Sequence, residues 1–314
     1  MISIALIGLG RMGKNHLRVL GGLQDCRLVA ICDPDAKASQ IAKELGLNYY
    51  STVEKLLEHE EFDCVDICVP TTLHESVAIA CLECGKHVFV EKPISHSVAS
   101  AMKIIEAAKV NNRVLMVGHI ERFNPTIRVL KEAIKDEKIL SLYFTRVGPM
   151  PPRIQDVGVV FDLGVHDIDL ARFLTNSDIS GVFCLSRGEK VEQSAQILLK
   201  MANDCSANIN LNWFTPFKVR EINVVTSNQV FVANLITKEV RSYSSYKATP
   251  NISYQVELFE VGNAEPLKSE LMHFVECVKN NTTPLTSGAE ALSALQAAEA
   301  AMRSSKERRF VSLP

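Results

Sequence analysis

The stretch "ISIALIGLGRMGKNH", residues 2–16, decides how the chain must be read. A β-branched apolar run from Ile2 to Ile7 gives way to Gly8, Gly10 and Gly13, and then to a helix-forming segment. A strand that delivers three glycines into a helix start suits a dinucleotide pyrophosphate. The first glycine permits the tight turn, the second lets phosphates approach the backbone, and the third lets helix and strand pack closely. The helix N-terminus adds N–H groups and partial positive charge. Arg11 and Met12, at that helix start, join the glycines as expected cofactor contacts.

Asp33 ends the second strand, about twenty residues further on, where an acid can accept hydrogen bonds from both ribose hydroxyls. The same carboxylate would repel a 2′-phosphate. No arginine follows at once and the nearest cation is Lys37, so NAD is expected in preference to NADP. A plainer reading makes Asp33–Pro34 the start of a turn.

Outward from this point the chain alternates. "RLVAICD", "CVDICVP", "HVFVEKP" and "RVLMVGH" are short apolar strands separated by amphipathic helical stretches. Repeated βαβ units imply a parallel sheet covered on both faces. The pattern stops near residue 120. From about 181 to 262, successive alternating strands with polar turns predict an antiparallel sheet with one face covered, and two helices close the chain. The expected division is therefore residues 1–120 and 121–314.

The balance of 34 basic against 36 acidic residues among 314 argues against a polyanion partner and for a small molecule. Nine cysteines without regular spacing argue against a disulfide framework and for a reducing, cytoplasmic setting. "CLEC", residues 81–84, lies in a helical stretch with no second ligand pair, so packed thiols are expected and no metal. No signal segment is evident, and no apolar run approaches the roughly 20 residues that span a bilayer.

Strand ends of an open parallel sheet carry function. Two such ends are "VPTTLH", with Pro70, Thr71 and His74, and "EKP", with Glu91 and Lys92. Proline fixes its own φ and restricts its predecessor, so Lys92 is held by the backbone, with Glu91 the natural neighbour for its cation. In "DLGVHDIDLARFL", Asp162, His166 and Asp169 recur at helical spacing on one face. Histidine titrates near neutrality and can take and return a substrate proton. The same three residues also fit an N-cap, a core histidine and a surface acid. "GHIERFNP" adds His119, Arg122 and Asn124. An arginine there can grip phosphate or carboxylate, or simply pair with Glu121.

Together, "GLGRMGKNH", "CDPD", "VPTTLH", "GKHVFVEKP", "GHIERFNP" and "DLGVHDID" resemble, in order, the Gfo/Idh/MocA oxidoreductases (glucose–fructose oxidoreductase, inositol dehydrogenase). The resemblance covers nearly the whole chain. It implies an α/β protein with an N-terminal Rossmann-type NAD-binding domain and a C-terminal α/β substrate-binding domain. The large, mostly antiparallel open sheet of that second domain would pair subunits into a homodimer or homotetramer. It further implies that Lys92 and His166 face the substrate carbinol with Asp162 as supporting carboxylate. The proline-containing run "RVGPMPPRIQDVGVVFD", residues 146–162, replaces the glycine-rich run of many relatives. With "GHIERFNP" it resembles a nucleotide-sugar subgroup, particularly UDP-N-acetylglucosamine 3-dehydrogenases. Arg153, Arg122 and Asn124 would then hold diphosphate or sugar hydroxyls. A free-polyol dehydrogenase and a non-catalytic NAD-sensing regulator are the competing expectations.

Overall fold

The computed structural model describes residues 1–150, 157–247, 249, 251 and 253–313. The chain divides into two compact units, Met1–Ile120 with Glu265–Leu292, and Glu121–Ala264 with Ser293–Pro314.

In the first unit, six parallel strands form one sheet: β1 (Ile2–Ile7), β2 (Cys26–Cys32), β3 (Asn48–Tyr50), β4 (Cys64–Ile67), β5 (His87–Glu91) and β6 (Leu115–Gly118). Their order is β3-β2-β1-β4-β5-β6, a Rossmann-type arrangement. The connecting helices are α1 (Arg11–Leu20), α2 (Lys37–Leu45), α3 (Val53–His59), α4 (His74–Glu83) and α5 (Val98–Val110). All four residues of β4 are buried, as expected of a central strand covered on both faces.

In the second unit, α6 (Pro125–Ala133) leads into β7 (Ile139–Pro149), and α7 (Val165–Thr175) precedes β8 (Ile179–Arg187) and β9 (Ser194–Met201). Then come β10 (Ser206–Asn212), β11 (Phe214–Thr226), β12 (Val230–Asn234), β13 (Glu239–Lys247) and β14 (Ser253–Phe259). Helices α8 (Pro266–Asn280) and α9 (Gly288–Glu307) precede the short β15 (Val311–Ser312). The nine strands run β14-β13-β12-β11-β7-β10-β9-β8-β15, and only β7 with β10 is a parallel pair among the described residues. Alternation is strict in β9, where Ala195, Ile197, Leu199 and Met201 are buried and Gln196, Leu198 and Lys200 are exposed. One face is core, and the opposite face leaves Tyr143, Leu185 and Leu198 exposed.

A division at residue 120 alone is corrected. Residues 265–292 return to the first unit because its sheet needs cover and its edge needs a partner. Helix α8 buries Leu267, Leu271 and Phe274, and the Phe274 ring meets Phe89 of β5 edge-on at 5.7 Å. Beyond α8, Val117 of the edge strand β6 donates its N–H to the Thr286 carbonyl at 2.8 Å.

Candidate active site

The glycine turn fits a dinucleotide. Gly8 has φ +92°, and a Cβ there would lie 2.7 Å from the Cys68 carbonyl oxygen. A Cβ on Gly13 would fall 1.9 Å from the Gly8 carbonyl oxygen, so helix and turn interlock only without side chains. Gly10 is the opposite case. Nothing lies within 4 Å of its would-be Cβ, which leaves open space at the start of α1, where no side chain caps the helix. Open space over an uncapped helix N-terminus is what a pyrophosphate requires.

Asp33 stands at the end of β2 and accepts two backbone N–H groups. Its Oδ2 accepts the Leu9 N–H at 2.5 Å and its Oδ1 accepts the Asp35 N–H at 2.8 Å. The carboxylate therefore braces the glycine turn from the end of β2 and starts the following turn. Each oxygen keeps a second lone pair for a ribose hydroxyl.

Beyond β4, Pro70 is exposed and Thr71 half-buried at the start of a 3₁₀ turn, Thr71–Leu73. His74 is held by backbone partners. It is buried, and its two ring nitrogens lie 3.0 Å from the carbonyl oxygens of Val69 and Pro93. It ties the end of β4 to the turn that follows Lys92. Burial holds its imidazole below the ordinary histidine value despite these acceptors.

Lys92 is half-buried, directly after β5 and before a cis Lys92–Pro93 bond. Glu91 accepts the Lys92 backbone N–H at 3.1 Å through Oε2, and its Oε1 lies 3.1 Å from His16 Nε2. His16 Nδ1 lies 2.7 Å from Asp66 Oδ2. This buried group was not singled out from the sequence. A signal existed: Asp66 is the one charged residue in the apolar strand "CVDICVP", and a buried charge requires a partner. Cys68 lies close by, and donor atoms of His16, Asp66 and Cys68 fall within 4.8 Å of one another. The short histidine–aspartate hydrogen bond already satisfies two of those donors.

In the second unit, His166 lies at the second position of α7 and is half-buried. Asp162 precedes it in a π-helical turn, Val160–Gly164, so the pair straddles a change of helical pitch. Asp169 has a partner from outside the helix. It is buried and receives a two-pronged hydrogen bond from Arg122, Nε to Oδ2 at 2.8 Å and Nη2 to Oδ1 at 2.7 Å. Asp167 accepts from Arg146 of β7 at 2.8 Å, and the same arginine donates to Glu121 at 2.8 Å. Burial alone would raise the Glu121 carboxyl, but Arg146 brings it below the usual carboxylate range. The aspartates one and three residues after His166 are thus pinned, which fixes the helix that presents it.

The expected substrate contacts have structural partners. Arg122, 2 % exposed, holds α7 through its two-pronged bond to Asp169. Asn124 caps α6, accepting the Thr126 N–H at 3.0 Å and donating to Glu121 at 3.0 Å. His119 is buried at the end of β6, with its N–H on the Val117 carbonyl at 2.7 Å. Arg153 lies outside the described residues. The cysteines are free thiols, and Cys81 is buried as expected while Cys84 is exposed rather than packed. No helix among the described residues is long and apolar enough to cross a membrane.

Comparison with known proteins agrees with this geometry. The family model described as an oxidoreductase family with an NAD-binding Rossmann fold matches residues 2–119, and the GFO/IDH/MocA C-terminal domain matches residues 142–232. The scyllo-inositol 2-dehydrogenase (NAD(+)) of Bacillus subtilis is 28% identical, covering 96% of this chain and 94% of its own length. The UDP-N-acetylglucosamine 3-dehydrogenase of Acidithiobacillus ferrooxidans is 26% identical, covering 87% of each. A solved structure of that enzyme superposes with a TM-score of 0.90 over 98% of both chains at 24% identity, a likeness of fold. Glycine turn, braced acid, strand-end lysine and both domain matches converge: the chain belongs to the Gfo/Idh/MocA family and is an NAD-dependent oxidoreductase.

Proposed function

We propose that the protein oxidises a secondary hydroxyl of a sugar, and that the sugar is nucleotide-linked: UDP-N-acetylglucosamine, taken to its 3-keto form. The observation that carries the dehydrogenase reading is the fixed presentation of two complementary groups. Lys92 follows a strand end braced by Glu91, and His166 stands on a helix pinned through Asp167 and Asp169. His166 accepts the hydroxyl proton. Lys92 hydrogen-bonds the same oxygen and stabilises its developing negative charge. Asp162 orients the imidazole and favours its protonated form. NAD, held by Gly8, Gly10, Gly13 and Asp33, supplies the hydride acceptor. The protein contributes alignment of proton acceptor and cation.

The nucleotide-sugar reading is supported by the relative named for that activity and by the proline-containing run 146–162. A second reading, oxidation of a free polyol, is favoured by two observations. The inositol dehydrogenase relative covers more of the chain, and Arg122 and Asn124 are committed to structure. We also infer that the exposed sheet face around Tyr143, Leu185 and Leu198 is covered by a second copy in a homodimer or homotetramer, which light scattering on purified protein would test.

The discriminating experiment incubates protein and NAD with UDP-N-acetylglucosamine, UDP-glucose, myo-inositol or glucose. Reduced nicotinamide is followed by absorbance, and mass spectrometry identifies the ketone. Turnover of UDP-N-acetylglucosamine, inhibited by UDP, supports the proposal. Turnover of inositol that UDP leaves untouched supports the second reading. NAD binding without turnover of any of the four would leave the fold intact and weaken both substrate readings.

A further inference from the structure

Beneath the strand end that carries Lys92 lies a buried charged group used by neither the glycine turn nor the proposed chemistry. His16 projects from α1, three residues after Gly13, and is fully buried, as is Asp66 in the middle of β4. The imidazole has a carboxylate oxygen on each side, Asp66 at 2.7 Å and Glu91 at 3.1 Å. A neutral ring carries one N–H and can donate to only one of them. The imidazolium, with both nitrogens donating, satisfies both carboxylates and offsets their charge. Burial alone would lower its pKa, but the charge and hydrogen bond of Asp66 raise it far above the ordinary value, with further help from Cys68 and Glu91.

Glu91 is confined on its other sides as well. Its second oxygen receives the Lys92 backbone N–H at 3.1 Å. The Gly118 backbone closes against it so tightly that a Cβ there would sit 3.1 Å from the carboxylate carbon. One positive ring between two carboxylates leaves a single negative charge, directly preceding Lys92 in the chain.

We propose that His16 is a positioning residue for Lys92: clamped between Asp66 and Glu91, it fixes the Glu91 carboxylate, and through it the backbone from which the Lys92 side chain departs. The inference rests on the reading of Lys92 as the cation at the substrate oxygen. Without the imidazolium, Glu91 keeps the Lys92 backbone N–H but loses its charged anchor, and its carboxylate turns toward the Lys92 ammonium.

The test compares wild type with His16→Gln/Asp66→Asn, a neutral pair that can keep a hydrogen bond between the two positions and leaves Glu91 as the one charge of the group, and with the same protein carrying Glu91→Gln in addition. The first readout needs no substrate: the rate at which acetic anhydride acylates Lys92 in the full-length protein, measured by peptide mass spectrometry. The neutral pair should slow acylation by about tenfold, because a freed carboxylate holds the amine in its charged form. Adding Glu91→Gln should restore it to at least the wild-type rate. In the substrate panel described above, the neutral pair should lower kcat by about 10- to 100-fold with little change in KM or NAD affinity. Unchanged acylation, or slow acylation that Glu91→Gln fails to relieve, would overturn the proposal. The expected acylation pattern in a protein that turns over no substrate would instead retain the coupling and remove the dehydrogenase reading.

Discussion

Arg122 and Asp169 form a buried, two-pronged ion pair, 2.8 and 2.7 Å, that joins the turn after β6 to helix α7 across 47 residues of sequence. The arginine is therefore a strut of the second unit. Arg122→Ala should strip a buried carboxylate of its guanidinium and cost about 3–5 kcal/mol, whereas Arg122→Met with Asp169→Leu should recover much of that loss. Urea unfolding of the three proteins checks this. A raised KM in Arg122→Ala at unchanged stability would restore the expectation that this arginine grips substrate.

Two buried histidines of the first unit, His16 and His74, should bend stability in opposite directions. His16 has a folded pKa above its unfolded value of 6.5, so its contribution is complete below about pH 6.5 and declines as pH rises. His74 has a folded pKa below 6.5, so the unfolded chain gains its proton first and stability falls as pH drops. Each limb should run at about 1.4 kcal/mol per pH unit at most. His16→Asn should flatten the alkaline limb and His74→Asn the acid limb, in denaturant titrations between about pH 5.5 and 9.

Gly10 and Gly13 should separate binding from folding. Gly13→Ala forces a methyl to within 1.9 Å of the Gly8 carbonyl oxygen and should cost about 2–3 kcal/mol as well as NAD affinity. Gly10→Ala meets nothing within 4 Å, so stability should move by about 1 kcal/mol at most. NAD affinity should nonetheless fall, because the methyl occupies the space the phosphates approach. Calorimetric NAD binding beside thermal unfolding distinguishes the two.

Asp33→Ser removes the charge that opposes a 2′-phosphate but also the acceptor that braces Leu9 at 2.5 Å. The ratio of NAD to NADP affinity should drop by about tenfold or more, mostly through weaker NAD binding. An unchanged ratio would leave Asp33 with its turn-bracing role alone.

What could be read from the sequence was what the backbone determines locally. The strand–glycine–helix run, the acid ending β2 and the Lys92–Pro93 turn are all consequences of neighbours in sequence. The partners of Arg122, Asn124 and Asp169 could not be read there, because they are chosen by the fold. "RFNP" reads equally well as a ligand grip or as a strut with a helix cap. The spacing of Asp162 and His166 suggested one regular helix, yet a π turn intervenes, and nothing in "VFDLG" announces it. Strand β13, "EVRSYSSYK", carries a weak signal of its own, because serines and charges occupy positions where apolar residues normally mark a strand. Its pairing between β12 and β14 supplies what its composition lacks. The return of α8 to the first sheet is likewise a tertiary choice, visible only once the Phe89–Phe274 contact exists.

Single-turnover formation of reduced nicotinamide by Lys92→Met and His166→Ala, with NAD saturating and the substrate identified by the panel, bears most directly on the chemistry. Each variant should bind NAD as wild type does and lose about 100-fold or more in the rate of hydride transfer. Transfer at the wild-type rate in Lys92→Met would contradict the account, whatever sugar the protein accepts.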